Sequence, residues 1–330
     1  MARTRKPPIH PVRWQPPPVE PLPEQSARPV TVVPVPGHGP EDVVVDADGN
    51  LWTGLVDGRI VRIAPGGEQT VVANTGGRPL GMHVARDGRV LICDSHRGLL
   101  ALDPVSGVLD VLVATVDGRP LRFCSNVTET ADGTIYFTES TSEFHFEHFL
   151  GAFLEARGTG SLFRLDPDGT VTTLVGGLYF PNGVTVTADG SALVFAETMG
   201  RRLSKYWLSG PRAGTVTPLA VHLPGMPDNI STGSGGRIWV ALVTPVNAAA
   251  EGLMPRTPLL RKIIWRLPKR LQPKVQPEVW VVAFDADEGT AVDGVRTDQP
   301  GFGGVTGVVE HDGRLWMSTI EFSALGYVEL

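Results

Sequence analysis

From residue 30 onward, short apolar runs alternate with Asp-Gly turns. The stretch DVVVDADGNLWTGLVDGRIVRIAP (42–65) reads as three short strands joined by two-residue turns, Asp-Gly being a strong hairpin signal. The unit recurs at GMHVARDGRVLICDSHRGLLALDP, NVTETADGTIYFTES, GVTVTADGSALVFAET, NISTGSGGRIWVALV and VTGVVEHDGRLWMSTIEFSALGYVEL. Its turn glycines are Gly49, Gly88, Gly133, Gly190, Gly236 and Gly313, spaced by 39, 45, 57, 46 and 77 residues. A period near 40–50 with about four strands per unit predicts a β-propeller. Six turns predict six blades. The two longest spacings hold segments of helical periodicity, 141–157 and 253–274, that interrupt the strand pattern. The last unit shows three strands, so the N-terminal strand PVTVVPV (29–35) is expected to complete it and close the ring. A right-handed α/β architecture is excluded, because no helix-length segment joins most of the strands. The fold class is therefore all-β, a six-bladed β-propeller over residues 29–330 with two helical insertions near the channel mouth.

The first 28 residues break the pattern. They carry eight prolines, five cations and two acids, a composition that favours extended polyproline backbone. The expectation is an arm that lies along the domain or stays disordered, rather than a docking tail for a proline-reading partner. Without it the remaining 24 cations and 33 acids leave the body at −9, against −6 for the whole chain. That balance gives no basic footprint for nucleic acid. Hydrophobic content of 42% with 19% charge excludes a disordered chain. No run of 18 apolar residues occurs, and Cys93 and Cys124 cannot make a disulfide framework. A soluble, cytoplasmic protein is expected. Phosphate-cradling loops, Cys-x-x-Cys pairs and a Gly-x-Ser-x-Gly elbow are absent from the sequence, so nucleotide, zinc and serine-hydrolase chemistry have no support.

Aligning the units on their turn glycines exposes the start of each first strand. Seven or eight residues before the glycine stand Glu41-Asp42, Leu80-Gly81, Ser125-Asn126, Asn182-Gly183, Asp228-Asn229 and Val305-Thr306. In a propeller these positions converge on one end of the central channel. Any one Asp or Asn there is explained as a turn former bonding nearby amides. The same phase in four of six units is not. Three acids cannot crowd together unpaired without taking up protons, and a cation resolves the conflict. The candidate ligands Glu41, Asp42, Asn126, Asn182, Asp228 and Asn229 are all hard oxygens, a set that suits Ca²⁺, or another divalent cation in its place.

GPEDVVVD, FPNGVTVTADG, MPDNIS and EHDGRLW together resemble the strictosidine-synthase-like branch of six-bladed propellers, the branch that includes the adipocyte plasma membrane-associated protein. More distant kin are regucalcin/gluconolactonase, paraoxonase and diisopropyl fluorophosphatase. The resemblance spans roughly residues 35–330. It implies a channel-end calcium held by Glu41, Asn126, Asn182 and Asp228, with Asn229 and Asp42 close by. It also implies Asp228 as general base or nucleophile. Two departures narrow the chemistry. Where plant strictosidine synthase has its proton-handling glutamate this chain has Thr306, which argues against that condensation. Where paraoxonase has a Pro-His-Gly element this chain reads Pro79-Leu80-Gly81, leaving His83 and His96 as the candidate catalytic histidines.

The expected function is a calcium-dependent hydrolase of lactones, aryl esters or phosphotriesters, of the lactonase/arylesterase type. The alternatives are a non-hydrolytic condensing enzyme and a binding propeller with a structural calcium. Phe144, Phe146, Phe149, Phe153 and Leu154 make the first insert a candidate lid, which implies a small apolar ester or lactone substrate. The second insert carries seven cations (Arg256, Arg261, Lys262, Arg266, Lys269, Arg270 and Lys274) among Leu, Ile and Trp265. Interfacial membrane contact through 253–274 is one reading of it; a solvated basic cap is the one preferred.

Overall fold

The computed structural model describes residues 6–268, 271–272 and 276–330. Lys269, Arg270 and Lys274 of the second basic insert therefore lie outside the described residues. Six four-stranded antiparallel sheets surround a channel. Their innermost strands are Val44–Val45, Pro79–Val84, Cys124–Glu129, Pro181–Val186, Gly225–Thr232 and Val305–His311, which define blades one to six in chain order. Thr31–Pro34 pairs with Ala324–Glu329 as the outer strand of blade six, so hydrogen bonds between the two ends of the chain close the ring as expected.

The repeat explains the core. All six turn glycines have positive φ, from 70° to 86°, where an L-residue would be strained. In blades two, three and four the turn Asp (Asp87, Asp132, Asp189) accepts the backbone amide two residues on, which fixes the hairpin. Alternating apolar residues then face the neighbouring blades. Six buried clusters result, one between each pair of blades. A seventh lies apart from the blade interfaces and contains Ile9, Phe123, Phe144, Leu154, Phe180 and Trp265.

The inserts emerge at a determined end. In an antiparallel hairpin the start of the first strand pairs with the end of the second, as Cys124 with Glu139 and Gly225 with Pro245. Both inserts follow a second strand, in blades three and five, so they leave the body beside the leading residues of the first strands. The first insert contains helix α1 (Phe149–Glu155), shorter than the periodicity of 141–157 implied. The second begins earlier than the expected 253–274, with α2 (Ala248–Glu251), and continues with α3 (Pro258–Arg266). Pro268, two residues beyond Arg266, limits α3, since proline lacks the donor a helix needs. Among the described residues no helix is long and apolar enough to cross a membrane.

Candidate active site

In blades two to six the leading residues sit on a shared distortion. Register shifts interrupt the pairing of first and second strands at Pro79/Met82, Cys124/Val127, Pro181/Val184, Pro227/Ile230 and Val305/Val308. A bulge breaks strict side-chain alternation and re-aims what it carries. Here it separates each pair of leading residues into two layers.

In every blade but the second, the first member of the pair faces a cavity of about 210 Å³: Glu41, Ser125, Asn182, Asp228 and Thr306 line it. The second member does not. Asp42, Asn126 and Asn229, from blades one, three and five, interlock with glycines of blades two, four and six. A Cβ on Gly81 would collide with Asn126 Nδ2, and one on Gly307 with Asp42 Oδ1. Asp42 and Asn126 each accept a backbone amide of the following blade, from Met82 N at 2.9 Å and Val184 N at 3.2 Å. This pairing corrects the sixth unit by one residue: its leading pair is Thr306-Gly307, not Val305-Thr306.

The cavity floor is a connected polar network. Asn182 Nδ2 donates to Asp228 Oδ1, and Ser125 Oγ donates to Asn182 Oδ1 at 2.9 Å. From the layer behind, Asn229 Nδ2 reaches Glu41 Oε2 at 3.4 Å and its Oδ1 accepts from Asn126 Nδ2 at 2.9 Å. The two floor carboxylates are in conflict. Burial, then the charge of Asp228, drives Glu41 well above the usual carboxylate range, while the neighbouring Arg78 guanidinium pulls it back. Burial and the charge of Asp42 drive Asp228 well up too, against the bond from Asn182. Burial raises Asp42 itself to about 7 despite its two amide donors.

This donor set fits a hard divalent cation. Every group in it is a carboxylate or an amide, and the elevation of both Glu41 and Asp228 is what a bound positive charge relieves. Each amide that now donates to a carboxylate carries its own oxygen a half-turn away. Among the described residues no three His, Cys, Asp or Glu side chains stand so as to hold a metal by themselves. The set therefore depends on Asn182, with Asn126 and Asn229 behind it.

The candidate histidines stand elsewhere. Neither His83 nor His96 lines the cavity. His83 lies on the innermost strand of blade two, its pKa pushed down to about 4 by desolvation, so it is neutral. His96 pairs with Glu147 at 2.6 Å and packs against the His145 ring, on the first insert. Thr306, at the cavity edge, donates its hydroxyl to the Glu41 carbonyl at 2.6 Å. Ser318 does the same at 2.8 Å, so both hold the Glu41 backbone rather than a substrate.

Above the floor the walls are aromatic. Phe123, Phe146, Phe149, Phe153 and Phe180 line the cavity, with Phe153 and Phe180 rings 4.8 Å apart. Arg78, which no sequence motif singles out, is buried beside the site. Its Nη1 donates to Gly39 O at 2.9 Å and its guanidinium lies 4.6 Å from the centre of the Phe146 ring. Trp14 of the proline-rich arm also lines the cavity, a role that the sequence reading of that arm did not assign.

A family model described as strictosidine synthase matches residues 126–211, and one described as strictosidine synthase-like, N-terminal, matches residues 30–63. The chain is 35% identical over 239 residues to STRICTOSIDINE SYNTHASE-LIKE 4 of Arabidopsis thaliana, a match covering 70% of this chain and 64% of that protein. Against STRICTOSIDINE SYNTHASE-LIKE 3 of the same plant the identity is 33% over 325 residues, 89% of this chain and 83% of the relative. The adipocyte plasma membrane-associated protein of Salmo salar is 30% identical over 319 residues, 88% and 76%. Among solved structures, a gluconolactonase from Xanthomonas campestris superposes with a TM-score of 0.67 at 19% identity, over 99% of both chains. The calcium-binding protein regucalcin from Agrobacterium tumefaciens does so at 0.64 and 18%, over 92% of this chain and 94% of that one. At such identities the superpositions speak to the fold.

Proposed function

The chain belongs to the strictosidine-synthase-like family, and from that premise we propose that it is a calcium-dependent hydrolase of apolar lactones, aryl esters or phosphotriesters. One observation carries the reading: a single cavity has a floor of carboxylates and amides, with two raised carboxylates, and aromatic walls. Glu41, Asn182 and Asp228 would hold the cation, with Asn126 and Asn229 supporting them. When bound, calcium supplies a Lewis acid for the carbonyl or phosphoryl oxygen of the substrate. The protein does the rest. Asp228, protonated while its charge is uncompensated, becomes able to act as base or nucleophile only in its ionised form. Asn182 holds the Asp228 carboxylate in place, and Ser125 orients Asn182. The phenylalanine walls exclude water and favour an apolar substrate. Amine–aldehyde condensation is disfavoured, because Thr306 has no titratable proton and its hydroxyl is bonded to the Glu41 carbonyl.

The test is hydrolysis across a panel of lactones, aryl esters and phosphotriesters, in excess calcium and after chelation. Turnover of at least one class should vanish with chelator and return with calcium. No turnover in either condition, together with a calcium-dependent melting temperature, would overturn the enzyme reading and leave a metal-stabilised binding scaffold.

A further inference from the structure

The proline-rich arm is held along its length by side chains far from it in sequence. An extended proline segment makes no internal hydrogen bonds, so its carbonyls need outside donors. Trp265 Nε1 donates to Pro7 O at 2.8 Å, Arg261 Nη2 to Val12 O, and Arg201 Nη2 to Pro17 O. Arg261 and Arg201 are both fully buried. Arg261 is also a junction: its Nη1 donates to Leu154 O of α1 at 2.9 Å and its Nη2 to Met254 O at 3.3 Å, between α2 and α3. One guanidinium thus ties the arm to both inserts. The arm's own amides add Val12 N to Glu155 O at 3.0 Å and Trp14 N to Met254 O at 3.1 Å. Ile9 is buried in the aromatic cluster with Phe144, Leu154 and Trp265.

Those bonds fix Trp14, the arm's point of contact with the cavity. It stacks on Tyr179, ring centroids 5.4 Å apart, and shares the cavity wall with Phe149, Phe153 and Met254. We propose that the arm is the fixed roof of this cavity and that Trp14 is a specificity residue, setting the preference for long apolar substituents over short ones. As a statement about substrates this rests on the hydrolase reading; as a statement about binding it does not.

The experiment separates the two. In full-length protein, Trp14→Ala and Trp14→Phe are compared by the ratio of kcat/KM for p-nitrophenyl octanoate to that for the acetate. They are also compared by the Kd for Nile red, a neutral apolar dye that needs no turnover. Trp14→Ala should lower the ratio about tenfold and raise the Nile red Kd by a similar factor, the scale expected when one large apolar wall is removed from a binding site. Trp14→Phe should recover most of both. An unchanged ratio and unchanged dye affinity in a Trp14→Ala protein that melts like the wild type would overturn the proposal. Should Trp14→Ala not fold, a Trp14→Phe protein with wild-type values for both would do the same. If the wild type hydrolyses neither ester, the hydrolase reading loses support and the dye alone decides for or against the roof.

Discussion

The floor and the roof of the cavity are built on opposite plans. The floor draws one side chain from each of several blades, most of them at a bulge near the start of an innermost strand, and each braced by a neighbour from another blade. The roof is assembled from three segments far apart in the chain: the arm, α1, and the α2–α3 insert. Packed rings and buried arginines hold it, not strand pairing. Such a division separates two properties. Reaction chemistry depends on atoms set by the repeat, while the substrate range depends on segments that can be exchanged without moving a blade. A change in the floor should therefore act on kcat, and one in the roof on selectivity.

The largest expected effect breaks the floor. Asp228→Asn should lower kcat by about three orders of magnitude, the range for loss of a general base, while calcium still binds, more weakly. Stopped-flow hydrolysis and calcium titration measure the two parts. An unchanged kcat would remove Asp228 from the chemistry and leave the floor only a binding role.

The next effect concerns charge. Acids raised in the folded state favour the protonated form there, so the folded protein binds more protons than the unfolded one between the usual carboxylate range near 4 and the raised values. Without metal, Glu41, Asp42 and Asp228 should therefore make stability fall as pH rises from about 4 to 7. His83, pushed down to about 4, works in the opposite sense: its contribution is present above about 6.5 and is lost as pH falls toward 4. The carboxylate part is isolated by comparing chelated wild type with chelated Asp228→Asn, whose neutral amide should be the more stable at pH 8 and no longer so at pH 4.5. Calcium at 100 times its Kd should add about 2.7 kcal/mol to the wild type near neutral pH, and less as acid competes for the carboxylates. Melting curves over pH 4.5–8 with and without calcium measure all of this. A chelated wild type no less stable than Asp228→Asn at pH 8 would mean that burial and the neighbouring Asp42 charge do not raise Asp228.

The contrast also marks what could be read from the chain. The blades were legible because five Asp-Gly turns and one Gly-Gly turn repeat a local conformational demand that sequence states openly. The floor was legible because the same period brings Glu41, Asn182 and Asp228 into phase. Its layering was not: a bulge breaks the two-residue alternation, so nothing in the order Ser125-Asn126 says which member meets the cavity. The same bulge moved the leading pair of blade six from Val305-Thr306 to Thr306-Gly307. The candidate histidines followed a motif that Pro79-Leu80-Gly81 lacks, and strand position alone could not bring them to the floor. For the roof a signal existed and was diluted. Ile9, Val12 and Trp14 are apolar residues that a merely solvated polyproline segment has no use for, yet among eight prolines they read as noise. Both inserts follow a second strand, which already assigns them to the floor's end of the channel.

The smallest expected effect sharpens the comparison by touching neither region. Gly88 lies in the turn at the other end of blade two, with φ of 86° and no atom near the place a Cβ would occupy. Gly88→Ala therefore adds no clash, and what remains is backbone strain of about 1–2 kcal/mol for an L-residue in the left-handed region. In a chain of this size that corresponds to a fall in Tm of about 1–3 °C. Because the strain sits at the far end of a strand whose pairing resumes at Val84–Val90, the leading residues should not move. Calcium affinity, kcat and the octanoate-to-acetate ratio should all stay at wild-type values. A loss of calcium affinity in Gly88→Ala would mean that the two ends of a blade are mechanically coupled, and that the repeat carries strain into the floor as well as supporting it.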